Sequence, residues 1–190
     1  MNILLIGPPG SGKGPQGARV AAALGLKHIS VGDVLRAEVA AGTPLSELLA
    51  RHMDRGELAP DELVIQLVVP RALAASSRNG YLLDRFPRSV AQADEARKLA
   101  EPARGRPNLV VYLDAPEHVL VERLLARARA QGRSDDTEEV IRHRLQVFAA
   151  ATAPLLAYYR DQGLAQVVDA TGRLHEITEA ILALAAADAP

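Results

Sequence analysis

The chain has 190 residues, carries a net charge of −1 with 24% charged side chains, and contains no cysteine. That length fits one domain burying roughly two-thirds to three-quarters of its unfolded surface, so no metal or disulfide staple is needed. The missing thiols exclude a disulfide framework, a thiolate zinc site and a cysteine nucleophile. Near-neutral charge excludes a basic nucleic-acid binder, and no apolar run approaches the roughly 18 residues of a membrane span. The start, MNILLIGPPG, lacks the charged region and cleavage site of a secretion signal, so the expected location is cytoplasmic, with neither nucleic acid nor membrane as a partner. Arginine outnumbers lysine 19 to 3, and alanine occurs 34 times. With such a bias, an arginine carries weight only where its position supports it.

Short apolar runs alternate with longer periodic segments, which predicts an α/β fold with a mainly parallel sheet. Strands are expected over residues 2–6, 27–29, 81–83, 109–113 and 165–168, each too short for a helix and followed by a Gly, Pro, Asp or Ser break. Helices are expected over 15–24, 32–41, 45–55, 60–76, 89–99, 116–130, 138–160 and 174–186. Ser30 and Ser89 stand where N-caps belong, Thr137 opens another helix, and Gly25 and Gly163 mark stops. Residues 101–107 read as a loop, and the alanine-rich tail after Ala183 is expected to fray.

The first strand, NILLI, runs straight into Gly7-Pro8-Pro9-Gly10-Ser11-Gly12-Lys13, and a helical pattern follows. This is the G-x-x-x-x-G-K loop in its strand–loop–helix setting. The glycines let consecutive backbone N–H groups converge on an anion, and the helix N-terminus adds the positive end of its dipole. Lys13 then places a point charge on β- and γ-phosphates. The next residue is Gly14, where most such loops carry a Ser or Thr that binds magnesium.

Two further strand ends carry apt chemistry. After the second strand, Ile29-Ser-Val-Gly-Asp-Val-Leu-Arg36 places an arginine one turn into a helix, either as a phosphate ligand at the sheet edge or as a solvated surface group. After the third, Tyr81-Leu-Leu-Asp-Arg-Phe-Pro-Arg88 offers Asp84 as a carboxylate able to hold magnesium through water. Arg88 is aimed by the fixed backbone of Pro87, and Gln92, one turn on, presents both a donor and an acceptor to a base edge. Beyond the fourth strand lie Arg123 and Arg127 on one helix face, then Arg133, Arg142 and Arg144. By composition alone Arg127, Arg129, Arg133, Arg142 and Arg144 are a solvated basic surface.

GPPGSGKGPQG resembles the nucleoside monophosphate kinases, and within them the adenylate kinases, whose loop usually reads GPPG[AS]GKGTQA. The run ISVGDVLR resembles their acceptor signature ISTGDMLR, LLDRFPR-S-V-A-Q resembles LLDGFPR-T-x-x-Q, and ERLLARARAQGRSDDTEEVIRHRL resembles their arginine-rich lid region. The four motifs occur in the family's order, over residues 1 to about 173.

The resemblance implies a P-loop kinase fold, a five-stranded parallel sheet with helices on both faces. It implies a core of residues 1–29, 62–127 and 143–190, an acceptor-binding insertion over 30–61 and a lid over 128–142. Only five residues separate Arg127 from Arg133, which leaves room for a short lid alone. It further implies reversible phosphoryl transfer from ATP to AMP giving two ADP, with Mg²⁺, in a monomer. The donor would meet Gly10, Ser11, Gly12, Lys13, Gly14, Pro15, Arg123, Arg127 and Arg173. AMP would meet Val31, Arg36, Arg85, Arg88, Gln92, Arg133 and Arg144. Lys13, Asp84, Arg88, Arg127, Arg133 and Arg144 would act on the transferring phosphoryl, with Asp84 holding Mg²⁺ through water, and Asp135 and Asp136 would orient the lid arginines. Three positions depart from the family pattern: Pro15 and Val31 stand for threonines, and Arg85 for a glycine. A UMP/CMP-type kinase and a nucleotide-binding homologue of low activity are the alternative readings.

Overall fold

The computed structural model describes residues 1–54, 59–103, 105–131 and 137–187. Strands β1 (Asn2–Ile6), β2 (Lys27–Ser30), β3 (Tyr81–Asp84), β4 (Leu109–Asp114) and β5 (Ala165–Asp169) pair in parallel in the order β2-β3-β1-β4-β5. Helices α1 (Lys13–Leu24), α2 (Val31–Ala41), α3 (Ser46–Asp54), α4 (Asp61–Ser76), α5 (Val90–Ala100), α6 (Glu117–Gln131), α7 (Glu138–Arg160) and α8 (Leu174–Ala187) fill the connections. The α/β fold class and the five-stranded parallel sheet expected from the sequence are those observed. No helix among the described residues is long and apolar enough to cross a membrane.

The central strands are apolar on both faces because both are covered, as a parallel sheet requires. Along β1, Ile3 and Leu5 face one cluster with Leu82, Val111, Val20 of α1 and Ile181 of α8. Leu4 and Ile6 face the other, with Leu83, Val110, Val68 of α4, Ala93 of α5 and Leu155 of α7. A third cluster joins α6 to α7 through Leu120, Leu124, Ile141 and Leu145. On α7, Thr152, Leu155 and Tyr159 are buried.

Strands β2 to β5 each run one residue beyond the expected end, so that Ser30, Asp84, Asp114 and Asp169 finish them at the carboxyl edge. A polar residue reads as a break in sequence, yet its backbone still completes the ladder. Ser89 and Thr137 cap α5 and α7 by accepting from the Gln92 and Val140 N–H groups. Ser30 is the N-cap of α2, as expected, although its side chain makes no cap bond. The tail also departs from it: α8 continues to Ala187, because Ala185 is buried against the sheet-facing cluster and packing overrides fraying. Gln16, fully buried on α1, donates to the Leu174 carbonyl and accepts from Thr178 Oγ1, which ties the start of α8 to the helix after the glycine loop.

Leu5 lies wholly inside the α1–α8 side of the sheet. Leu5→Ala should therefore lower unfolding free energy by about 2–5 kcal/mol in chemical denaturation, the range for a buried leucine truncation. A loss below about 1 kcal/mol would mean that this face is loosely packed.

Candidate active site

In an open parallel sheet, ligands bind beyond the carboxyl ends of the strands where the chain changes direction across the sheet. Here the chain leaves β1 for β2 and β3 on one side, then crosses to β4 and β5 on the other. The loop 7–12 follows β1 at that switch point. Gly10 takes φ +85°, and a Cβ there would lie 3.0 Å from the Leu120 carbonyl oxygen, so α6 closes over the loop only because the residue is glycine. Gly12, at φ +90°, is the N-cap of α1. The first-turn N–H groups of Lys13 and Gly14 have no partner within the helix by its geometry, and Pro15, exposed in the same turn, has none to offer.

Lys13 folds back over its own loop. Its Nζ donates to the carbonyls of Gly7 at 2.6 Å and Pro8 at 2.8 Å, with Ser11 Oγ at 3.4 Å. Burial lowers its pKa from 10.5 to about 8; Asp84 pulls the other way, while Arg85, Arg88 and Arg127 press it further down. The charges felt at Lys13 thus come from residues 84–88 at the end of β3 and from the exposed Arg127 on α6, so three segments of the chain meet electrostatically at this sheet edge.

Asp84 ends β3 opposite Leu5 of β1, and is 1% exposed. Burial raises its pKa, opposed by Lys13 and then Arg85. Its Oδ1 is buried without a hydrogen-bond partner, and Arg85 Nε lies 3.9 Å from Oδ2. Among the described residues no three histidine or carboxylate side chains converge as a ligand set. A lone carboxylate with one unmet acceptor suits a hydrated cation, held through water.

Arg85 adopts φ +68°, which explains in backbone terms why glycine suits this corner. Its side chain is 48% exposed beside Asp84, and its carbonyl accepts from Arg88 Nε at 3.3 Å. Arg88 is half-buried, and burial followed by the Arg85 charge lowers its pKa, while Asp61 and Asp84 oppose them. Gln92 is 2% exposed; its Oε1 accepts from the Arg88 backbone N–H at 2.8 Å, and its Nε2 donates to Asp61.

The remaining expected residues are more scattered. Arg36 is exposed and ion-paired to Asp33 one turn earlier. Val31 is fully buried in the core at the start of α2. Arg123 donates to the carbonyls of Ala170 and Thr171, in the loop after β5 that also carries Arg173. Arg144 is exposed on α7, and Arg142 bridges Glu138 and Glu117 as a surface link between α7 and α6. Arg133, Asp135 and Asp136 lie outside the described residues. Sequence reasoning passed over Asp61 and Gln16. Asp61 follows Pro60 and reads only as a helix start, and a lone glutamine in a small-residue helix signals nothing about its partner.

Two outcomes follow. An anion beside Lys13 raises the pKa that burial has lowered to about 8, so ATP binding should take up a proton: little at pH 6, about half at pH 8 and nearly one above pH 9. The terminal phosphate has finished its own titration there, with a second pKa near 6. Calorimetry in buffers of different ionisation enthalpy measures this, and zero uptake at pH 9 would remove Lys13 from the anion site. Separately, Arg85→Gly should raise stability by about 1 kcal/mol and Tm by about 2–4 °C, because a left-handed non-glycine residue costs slightly more than glycine's extra chain entropy. A lower Tm would show that the Arg85–Asp84 pair outweighs that strain.

Comparison with known proteins gives the family over most of the chain. The family model described as adenylate kinase matches residues 5–164. The chain is 48% identical over 179 residues to the adenylate kinase of Parasynechococcus marenigrum (strain WH8102), covering 94% of this chain and 95% of that protein. It is 44% identical over 181 residues to the adenylate kinase of Xanthomonas campestris pv. campestris (strain 8004), at 95% and 97% coverage. It is 41% identical over 179 residues to that of Thermobifida fusca (strain YX), at 94% and 95%. With a glycine loop, an edge carboxylate and the part-buried cations Lys13 and Arg88 at one switch point, and with these relatives matched over nearly its full length, the chain belongs to the adenylate kinase family.

Proposed function

We propose that the protein catalyses reversible phosphoryl transfer from ATP to AMP, giving two ADP, as a cytoplasmic monomer. The observation that carries this reading is the gathering of Lys13, Arg85 and Arg88 about Asp84 at the end of β3, with the charge of Arg127 also felt at Lys13. Phosphoryl transfer spreads negative charge over equatorial and bridging oxygens, so what it requires is positioned cations in a dry cleft. AMP's phosphate is already ionised, so no general base is needed, and catalysis is orientation plus charge stabilisation.

Each group then has a task. The residues Gly10 to Gly14 cradle the donor phosphates with their backbone, and Lys13 moves off its loop carbonyls onto the β- and γ-oxygens. Asp84, whose Oδ1 has no hydrogen-bond partner, would hold Mg²⁺ through water. When bound, Mg²⁺ neutralises charge on the donor phosphates. Arg123, pinned over the loop after β5, lies against the donor base with Arg173 nearby. Arg88 and Arg36 hold the acceptor phosphate, with Arg36 exchanging Asp33 for it, and Gln92 reads the acceptor base. Arg127, Arg133 and Arg144 close on the transferring group as the insertion over 30–61 and the short lid over 128–142 shut out water.

A coupled assay of ADP formation with AMP, UMP, CMP or no acceptor tests the reading. AMP should be the preferred acceptor by a wide margin, and preference for a pyrimidine nucleotide would overturn it. Lys13→Met should lower kcat by about 10²–10³, the scale for one preorganised electrostatic contact, with an unchanged melting profile. Turnover within threefold of the parent would show that the glycine loop is not the donor site.

A further inference from the structure

We propose that Asp61 is a specificity-determining residue: by holding the side-chain amide of Gln92 in one orientation, it makes the acceptor site accept a 6-aminopurine and refuse a 6-oxopurine. This rests on assigning the acceptor base to Gln92, and adds what sets the direction in which that amide reads.

A glutamine amide has an acceptor end and a donor end of nearly the same shape, and its terminal torsion is roughly two-fold, so turning it over exchanges the two at little steric cost. A 6-aminopurine presents a donor at its exocyclic nitrogen and an acceptor at N1. A 6-oxopurine presents the reverse, an acceptor at O6 and a donor at N1. An amide free to turn serves both equally and discriminates neither.

Gln92 is not free to turn. Its Oε1 accepts from the Arg88 backbone N–H at 2.8 Å, and its Nε2 donates to Asp61 Oδ1. Turning the amide over sets Oε1 against a carboxylate, which when ionised can only accept, and Nε2 against an N–H, which can only donate. Two hydrogen bonds are lost and two like poles are opposed. At 2% exposure, no water makes up the loss. In the held orientation, each end keeps one valence: a lone pair on Oε1 for an amino group, and a second N–H on Nε2 for N1.

The two anchors differ in origin. Arg88 and Gln92 are one turn apart at the start of α5, and the Ser89 cap fixes that turn. Asp61 comes from the first turn of α4, 31 residues earlier. The backbone anchor is therefore built in, and the side-chain anchor is the one a substitution can remove. Asp61 also lies where an acidic residue favours the α4 dipole, so a general loss of stability has to be separated from a loss of reading.

The full chain, with Asp61→Asn and Asp61→Leu, is assayed at saturating ATP with AMP and with IMP as acceptors. IMP inverts the purine edge without adding a 2-amino group. An asparagine carboxamide can meet either end of Gln92, and a leucine meets neither. In both variants, the AMP-over-IMP ratio of kcat/KM should fall about tenfold or more, with the KM for ATP unchanged. A melting curve shows whether each variant is folded, and a merely structural role would move that curve without moving the ratio. Folded variants with a ratio within twofold of the parent would overturn the proposal. A lower KM for AMP at an unchanged ratio would also overturn it, because Asp61 would then compete with the base rather than orient its reader. A parent that used UMP and not AMP would sink the acceptor assignment itself, and the proposal with it.

Discussion

The register that sets Asp84 opposite Leu5 is the constraint on which the site depends. Side chains alternate along a strand, so Leu82 and Asp84 share the face that α1 covers, while Leu83 joins the opposite core. Lys13 is the first residue of α1 and reaches the same face. A slip of one residue would turn Asp84 into the apolar cluster of α4 and α5, and leave the ammonium facing Leu83. That slip is blocked by both faces at once, because every residue of β1 is buried and would exchange its partners. The apolar run NILLI is therefore part of the active-site geometry as much as of the core.

Electrostatics at this edge work against the protein until an anion arrives. Burial lowers the pKa of Lys13 and of Arg88 and raises that of Asp84, so each charge is held at a cost that water would not impose. Lys13 is satisfied locally by two carbonyl oxygens of its own loop, which are weaker partners than a phosphate. Asp84 has one oxygen without any hydrogen-bond partner. A polyphosphate with a hydrated cation relieves both sets together, and the cost of assembling them has already been met by the packed sheet. Preorganisation of this kind stabilises a transition state because little has to move when charge develops.

The fold was legible because each strand is a short apolar run with a break behind it, and several helices carry a start or a stop of their own, such as Ser89, Thr137 and Gly25. The glycine loop was legible for the same reason: all of its parts are consecutive. The expected strand ends fell short by one residue, since polarity reads as a break whereas backbone pairing tolerates it. Asp61 was not legible as a partner of Gln92, because only the docking of α4 on α5 brings the two together. Val31 stands in a signature and is nonetheless core, and Arg36 faces Asp33 in its own helix. A motif marks where chemistry can occur, while side-chain direction is set by packing that no short motif contains.

The three departures from the family pattern fall into place unequally. Pro15 takes a position in the first turn of α1 where no intrahelical N–H bond exists to lose, so the helix tolerates it and only a donor toward the phosphates is forgone. Val31 is wholly buried, and a β-branched apolar residue there packs without leaving a hydroxyl to satisfy. Arg85 is the one that keeps a conformational cost, at φ +68°. Its guanidinium lies beside Asp84 and its charge is felt by both Lys13 and Arg88, which puts the substitution among the charged groups at the end of β3. The glycine loop is thus built from consecutive residues and absorbs the change at Pro15 locally. The end of β3 hangs on contacts between elements far apart in sequence, and there a single altered side chain alters the charge on its neighbours.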